Sequence, residues 1–351
     1  MSHPSVTIEC FSSLPEDRRT ETGVATPWGG GPQLVNGVSV PTKSKVPPAI
    51  NPDQSASEAF AAILRHNYNF LLTWRDNARG WGDIEGVHQL RVSFRRMRSA
   101  VSLFRDAVPQ EATATWKDEM RWIAGELGPA RDLDVFIAEG LGPVVELLPL
   151  SGAEPLLQLA EARRAEIYQQ RVIPMLDSDR FACFVDGFPN WLDARAWEAV
   201  PLTKKQVKRL HSGIVGYSRR LLDKQERRVL GAGTHVNRDD AAEMHRLRIE
   251  CKKLRYATEF FLPLFDGMDV FIGHMKGLQD LLGVMNDVAV TQHLLDDLLT
   301  GNSDRELFVY AGGLVGWRSC EFRHLLSRFD DYWEELTEAK HPWWKKQGRG
   351  S

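Results

Sequence analysis

Two stretches of this chain place a histidine and several cations at matching helical spacing. His88, Arg91, Arg95, Arg96 and Arg98 lie in VHQLRVSFRRMRSAVSLF. His245, Arg248, Lys252, Lys253 and Arg255 lie 157 positions further on, in MHRLRIECKKLRYATEFF. With about 3.6 residues per turn, positions +0, +3, +7 and +10 fall within an arc of about 80°. Each stretch is therefore expected to be a helix with one histidine and three cations along one side. Like charges at i,i+3 and i,i+4, such as Arg91–Arg95 and Arg95–Arg98, cost a few tenths of a kcal/mol per pair. An anion lying on the row offsets that cost. Arginine holds two phosphate oxygens in one planar fork, whereas lysine acts as a point charge. A mixed row suits a flexible, repetitive polyanion better than one small molecule of fixed geometry. The competing reading, two solvated faces with scattered ion pairs, is weakened by the recurrence of the same phase in both copies.

Each row must be positioned by an apolar stripe on the same helix. In the first, Leu90, Phe94, Met97, Val101 and Phe104 recur at three and four, about 100° or more from the cations. One face is thus left for a core and a neighbouring face for a ligand. Each histidine helix is followed by a second matching segment, GELGPARDLDV and DLLGVMNDVAV. An offset of 155 pairs Gly128 with Gly283, Asp132 with Asp287 and Arg121 with Lys276. Two motifs recurring in one order predict a duplicated unit. Lys276, Asp280, Gly283 and Asp287 share one helical face, where the glycine predicts close approach by another helix or a ligand. Asp132 and Asp287 either bind a metal ion or pair with arginines and hold them in position. Orientation is favoured, because metal sites usually gather more carboxylates or histidines.

The rest of the chain fits an all-α protein. Residues 1–50 are rich in Gly, Pro, Ser and Thr and read as a disordered or weakly ordered tail in which VTIECF is a candidate short strand. Helical periodicity is expected over 51–341, with repeat one at about 52–200, repeat two at about 203–341, and 342–351 as a C-terminal tail. Asn51-Pro52 suits a cap and first-turn proline, Ser55-x-x-Glu58 has capping-box spacing, Asp83 suits the start of the first histidine helix, and Asp240-x-x-Glu243 resembles a box for the second. Period-two strands are absent from this region. Trp343 and Trp344 suit an interface or a cover for the core.

Charge is unevenly spread. The net charge is −3, yet nine Lys or Arg against two acids fall between Lys204 and Arg228. Lys205, Lys208 and Arg219 share a face if that helix is unbroken, and Arg220 and Lys224 extend this possible third wall. Arg121, Arg131, Arg163, Arg164 and Lys276 are weaker candidates. His88 and His245 open their rows, so hydrogen-bond donation to phosphate competes with a packing or capping role. An unperturbed histidine titrates near pH 6.5, so binding is expected to tighten on mild acidification. The four cysteines, Cys10, Cys183, Cys251 and Cys320, are widely spaced without CxxC, which argues against a zinc site or disulfide framework. Reduced thiols, no secretion signal and no apolar run of about 20 residues make a cytoplasmic protein without membrane contact the expectation. No cofactor or metal is implied, and nothing in the sequence fixes an oligomeric state.

The paired segments VHQLRVSFRRMRSAVSLF with LGPARDLDV, and MHRLRIECKKLRY with LQDLLGVMND, resemble the CHAD family, the conserved histidine α-helical domain. The resemblance covers residues 52–340. It implies two helical (four-helix-type) bundles related by a pseudo-twofold axis, with a basic groove or pore between them. It also implies non-catalytic binding of inorganic polyphosphate and association with polyphosphate granules. Carried onto this sequence, the binding residues are His88, Arg91, Arg95, Arg96, Arg98, His245, Arg248, Lys252, Lys253, Arg255 and Tyr256. The chain departs from many relatives in lacking an accompanying triphosphate-tunnel domain: residues 1–50 hold no ExExK strand, although SVPTKSKVPP resembles the linker that follows one.

Two other classes compete. A histidine- or metal-dependent phosphohydrolase acting on polyphosphate or nucleotides needs a nucleophile or activated water near His88 or His245. No HExxH, adjacent His-Asp pair or P-loop supplies one. A nucleic-acid binder is disfavoured because the rows lack interleaved aromatics and the pI is near 6.4.

Overall fold

The computed structural model describes residues 47–344 and, before them, a short antiparallel pair, β1 (Leu34–Val35) with β2 (Val38–Ser39). VTIECF lies outside the described residues. From residue 47 onward the elements are helices: α1 Ala56–Trp74, α2 Glu85–Leu103, α3 Gln110–Val135, α4 Gly142–Val145, α5 Ala153–Ile167, α6 Ile173–Asp177 and α7 Asp179–Asp193. There follow α8 Lys204–Leu210, α9 Ile214–Gly233, α10 Ala241–Phe260, α11 Met268–His274, α12 Lys276–Leu299, α13 Arg305–Leu326 and α14 Phe329–Thr337. Single π-helical stretches at Phe136–Leu141 and Tyr168–Val172 join α3 to α4 and α5 to α6.

Local chemistry sets the helix starts. Ser55 caps α1 in a complete capping box: its hydroxyl accepts from the Glu58 N–H at 3.2 Å and Glu58 accepts from the Ser55 N–H at 2.9 Å. Asn51-Pro52 is therefore not the cap; Asn51 instead accepts from the Asp53 N–H in a turn ahead of the helix. Asp83 accepts from the Glu85 N–H at 2.9 Å at the start of α2. Asp240 accepts from the Ala242 and Glu243 N–H groups, but Glu243 reaches back to the Asn237 N–H, so the second box is only half formed.

The apolar stripe of α2 is fully used: Leu90, Phe94, Met97 and Phe104 are wholly buried and Val101 nearly so. α2 packs on α1, α3 and α10, and α10 packs on α9 and α12. The starts of α1 and α9 are tied together by Ala56 N–H to Ser212 C=O at 2.9 Å and Ile214 N–H to Gln54 C=O at 2.8 Å. An aromatic chain of Phe60, Trp197, Phe104, Tyr217 and Phe261 joins α1 to α9 and α10 through centroid distances of 5.0–6.2 Å. Gly86 is fixed by packing: a Cβ there meets the Asn77 backbone at 2.5 Å, so α2 seats directly on the turn after α1. The helix that was to carry Lys205, Lys208 and Arg219 on one face is broken between Leu210 and Ile214, where the chain turns at His211–Gly213. At the end of the described residues, Pro342–Trp344 forms a helical turn with Trp343 buried and Trp344 exposed, both indoles donating to Asp223.

Candidate functional site

Because α2 and α10 pack side by side, their two cationic rows meet. Between α2, α3, α9 and α10 lies a cleft of about 420 Å³. Its wall carries Arg95, Arg98 and Arg105 from α2 and the turn after it, Lys117 from α3, Lys224 and Arg228 from α9, and Lys252 and Lys253 from α10. Among the described residues, no aspartate or glutamate lines it. Lys224 pairs with Asp106 at 2.6 Å and Lys253 with Glu250 at 2.5 Å. Among the described residues, the other six wall cations have no ion-pair partner. Tyr256 also faces the cleft, with the Arg95 guanidinium 5.6 Å from its ring centre.

This crowding is electrostatically unfavourable without an anion. Burial, then the neighbouring Arg248 and Arg95 charges, push the Lys252 ammonium down to about 7, against a partial upward pull from Asp287. Burial and Arg121 likewise lower Arg98.

The remaining row residues form two further layers. Arg91 is half-buried, donates to the Ala124 carbonyl at 2.9 Å and faces Asp132; its Nη1 would lie 3.1 Å from a Cβ on Gly128. Arg248 faces Asp287 in the same way. Burial, helped by Asp287, raises Asp132 against the downward pull of Arg91 and Arg131, so the two carboxylates with Arg91, Arg131 and Arg248 form one interacting group. Glycine's close approach is thus made by an arginine at Gly128, whereas a Cβ on Gly283 meets nothing within 4 Å. Arg96 and Arg255 turn away from the cleft onto one carboxylate, Glu259. Arg255 Nε lies 2.8 Å from it and Arg255 Nη1 donates to Gln279 at 2.7 Å. His88 is half-buried, His245 exposed, and neither lines the cleft. Seven residues at about 1.5 Å rise put each histidine roughly 10 Å along its helix from Arg95 or Lys252.

Most of the weaker candidates lie elsewhere. Arg164 is buried against Asp134, and Arg163 pairs with Glu166 at 2.7 Å. Arg131 pairs with Glu139 at 3.6 Å. Lys205 and Lys208 are exposed on α8, outside the cleft; Arg219 packs against Phe265, Arg220 against Tyr217, and Lys276 acts on Asp280. Arg121 pairs with Asp118 at 2.5 Å, close enough to Arg98 to disfavour its charge. Only Lys224 of this group joins the wall.

Three wall residues were not singled out from sequence: Arg105, Lys117 and Arg228. Two carried a signal, since the α2 row continues at three and four through Ser102 to Arg105, and Arg228 is one turn beyond Lys224. Among the described residues, no group of three or more His, Cys, Asp or Glu could hold a metal, and no helix is long and apolar enough to cross a membrane.

A family model described as the CHAD domain matches residues 62–296. Two uncharacterized proteins of Mycobacterium tuberculosis, from strains CDC 1551 / Oshkosh and ATCC 25618 / H37Rv, are each 27% identical over 294 residues, covering 80% of this chain and 53% of theirs. The chain thus spans about half the length of these curated relatives. The crystal structure of the CHAD domain from the plant Ricinus communis matches with a TM-score of 0.71 and 25% identity, over 84% of this chain and 96% of that one. PptA from Streptomyces chartreusis shares the fold at a TM-score of 0.59 and 18% identity, over 80% of this chain and 100% of that one. With the family model covering more than half of its length and a solved member matching its helical body, this chain belongs to the CHAD domain family.

Proposed function

We propose that this protein binds inorganic polyphosphate, without catalysis, in the cleft between α2, α3, α9 and α10. The observation that carries the reading is a wall of eight cations that, among the described residues, has no carboxylate and in which six cations have no ion-pair partner. A linear polyanion satisfies such a wall residue by residue. Asp132 and Asp287 then serve by holding Arg91 and Arg248 behind it. The matching order α1–α2–α3 and α9–α10–α12 supports descent of the two rows from a duplicated unit. Attachment to polyphosphate granules follows if the polymer is held on such a granule. The phosphohydrolase alternative is less favoured by the site: the hydroxyls on the wall, Ser99 and Ser102, lie among cations, with no histidine or carboxylate beside them among the described lining residues.

Counterion release tests this directly. Each phosphate contact on a single-stranded polyanion contributes about 0.7 to the slope of log K against log salt. Six to eight contacts predict a slope of about −4 to −6, hence a roughly 300- to 2,000-fold loss of affinity between about 50 and 200 mM salt. Titration of long-chain polyphosphate across that range checks it; a slope shallower than about −2 excludes the cleft as the principal site.

Lys252 adds a pH signature. Its ligand-free pKa of about 7 lies below the ordinary 10.5, and a bound polyanion raises it, so binding above pH 7 takes up a proton. Affinity is expected to fall by up to about tenfold per pH unit above 7 from this group and to be insensitive to it below. For folding the sign is opposite: the unfolded chain binds more protons between 7 and 10.5, so ligand-free stability gains from this group as pH rises there. Isothermal titration at pH 7, 8 and 9 with wild type and Lys252→Gln measures the effect, which the variant should lose.

A further inference from the structure

The floor of the cleft does not match its wall. Between the cations it is built from Leu103, Leu221, Ile249, Tyr256 and Phe260, and Ile249 is 37% exposed within an otherwise charged stretch of α10. Inorganic polyphosphate has no apolar surface to lay on such a floor. The cleft's volume of about 420 Å³ lies in the range of small-molecule sites, roughly 300–1,000 Å³, which combine apolar lining with a few placed polar groups. Arg95 holds its guanidinium beside the Tyr256 ring, and both guanidinium planes and aromatic faces are stacking surfaces for bases.

Resting on the phosphate-binding reading of the same cleft, we propose that it accepts nucleoside polyphosphates, with the phosphates on the cationic wall and the base on the apolar floor beside Arg95 and Tyr256. The wall supplies affinity for any chain of phosphates. The floor supplies a preference for an organic group attached to one end.

The comparison that tests this is adenosine triphosphate against inorganic tripolyphosphate by isothermal titration, in magnesium-free buffer at fixed ionic strength. Tripolyphosphate has one more ionisable terminal oxygen, so charge alone favours it. The floor reverses the order: adenosine triphosphate is expected to bind at least about fivefold tighter, the lower end of what one stacked base contributes. Ile249→Ser should abolish that preference while tripolyphosphate binding stays within about twofold and the melting temperature confirms the fold. Equal or tighter binding of tripolyphosphate to the wild type overturns the proposal. So does tighter binding of a single-stranded RNA oligonucleotide than of adenosine triphosphate at equal phosphate concentration, which assigns the floor to a nucleic acid. Failure of long-chain polyphosphate itself to bind brings down the underlying site reading, whereas its binding without a nucleoside preference overturns this inference alone.

Discussion

Replacing Arg98, Arg105, Lys117 and Arg228 together with alanine will lower the affinity for long-chain polyphosphate at least about a thousandfold at low salt. The four come from α2, the turn after it, α3 and α9, so the variant strips the wall on three sides. Charge-assisted hydrogen bonds contribute about 1.5–3 kcal/mol each when well placed. Partial exposure and salt reduce that to roughly 1 kcal/mol per residue here, and about 4 kcal/mol in total is a thousandfold. The salt slope should become shallower by about 3, four contacts at about 0.7 each. Stability should hold or rise, because none of the four has an ion-pair partner among the described residues and their removal strands no carboxylate. The exposed pair Lys205→Ala/Lys208→Ala on α8, with comparable lost charge per residue but no place on the wall, should change affinity less than about twofold. Parallel titrations of the two variants against wild type check both statements, and similar losses in the two would show that net charge, and not the cleft, governs binding.

The contrast between those variants also marks where the sequence stops being informative. Helix phase is a local property, so the apolar stripe of α2, the Ser55–Glu58 box and the alignment of Arg95 with Arg98 follow from spacing alone. The face on which a cation ends up is set by what packs beside it. Arg96 and Arg255 share the phase of their neighbours closely enough to look like ligands, yet Glu259 lies between them and takes both. The i,i+4 relation of Arg255 to Glu259 is visible in the sequence; the approach of Arg96 from α2 is a product of helix packing. Lys117 shows the converse. It is an isolated lysine on the first half of α3 with no motif around it, and only the crossing of α3 past α2 brings it to the wall. The histidines named by the family motif are the clearest displacement. They keep the row's angular phase but lie about two turns away along the axis, a distance that a view down the helix does not reveal.

Arg164 carries the same lesson into stability, and Asp134→Ala is expected to cost about 3–5 kcal/mol, the usual price of leaving half of a buried ion pair behind. Asp134 has no exposed side-chain surface and Arg164 only 9%. Arg164 Nε donates to Asp134 at 2.7 Å, its Nη1 reaches Glu161 at 3.0 Å and its Nη2 the Trp81 carbonyl, while the Tyr168 hydroxyl donates to Asp134 at 3.0 Å. Truncation strands a buried guanidinium and a buried hydroxyl together. For a body of this size the loss corresponds to a fall of roughly 5–8 °C in melting temperature. The pair itself adds little net stability, since burial pushes the Asp134 carboxyl up against the pull of Arg164. Asp134→Leu/Arg164→Met, which removes both charges and fills the space, should therefore recover the guanidinium's share of the loss, with the Tyr168 hydroxyl still unpaired. Neither residue lines the cleft, so the salt slope for polyphosphate should stay at its wild-type value in the double variant. Thermal denaturation with titration of the same samples separates the two roles: a double variant that melts above Asp134→Ala but binds weakly would make Arg164 a ligand after all, whereas recovery of both properties leaves it as the support that fixes α5 to the end of α3.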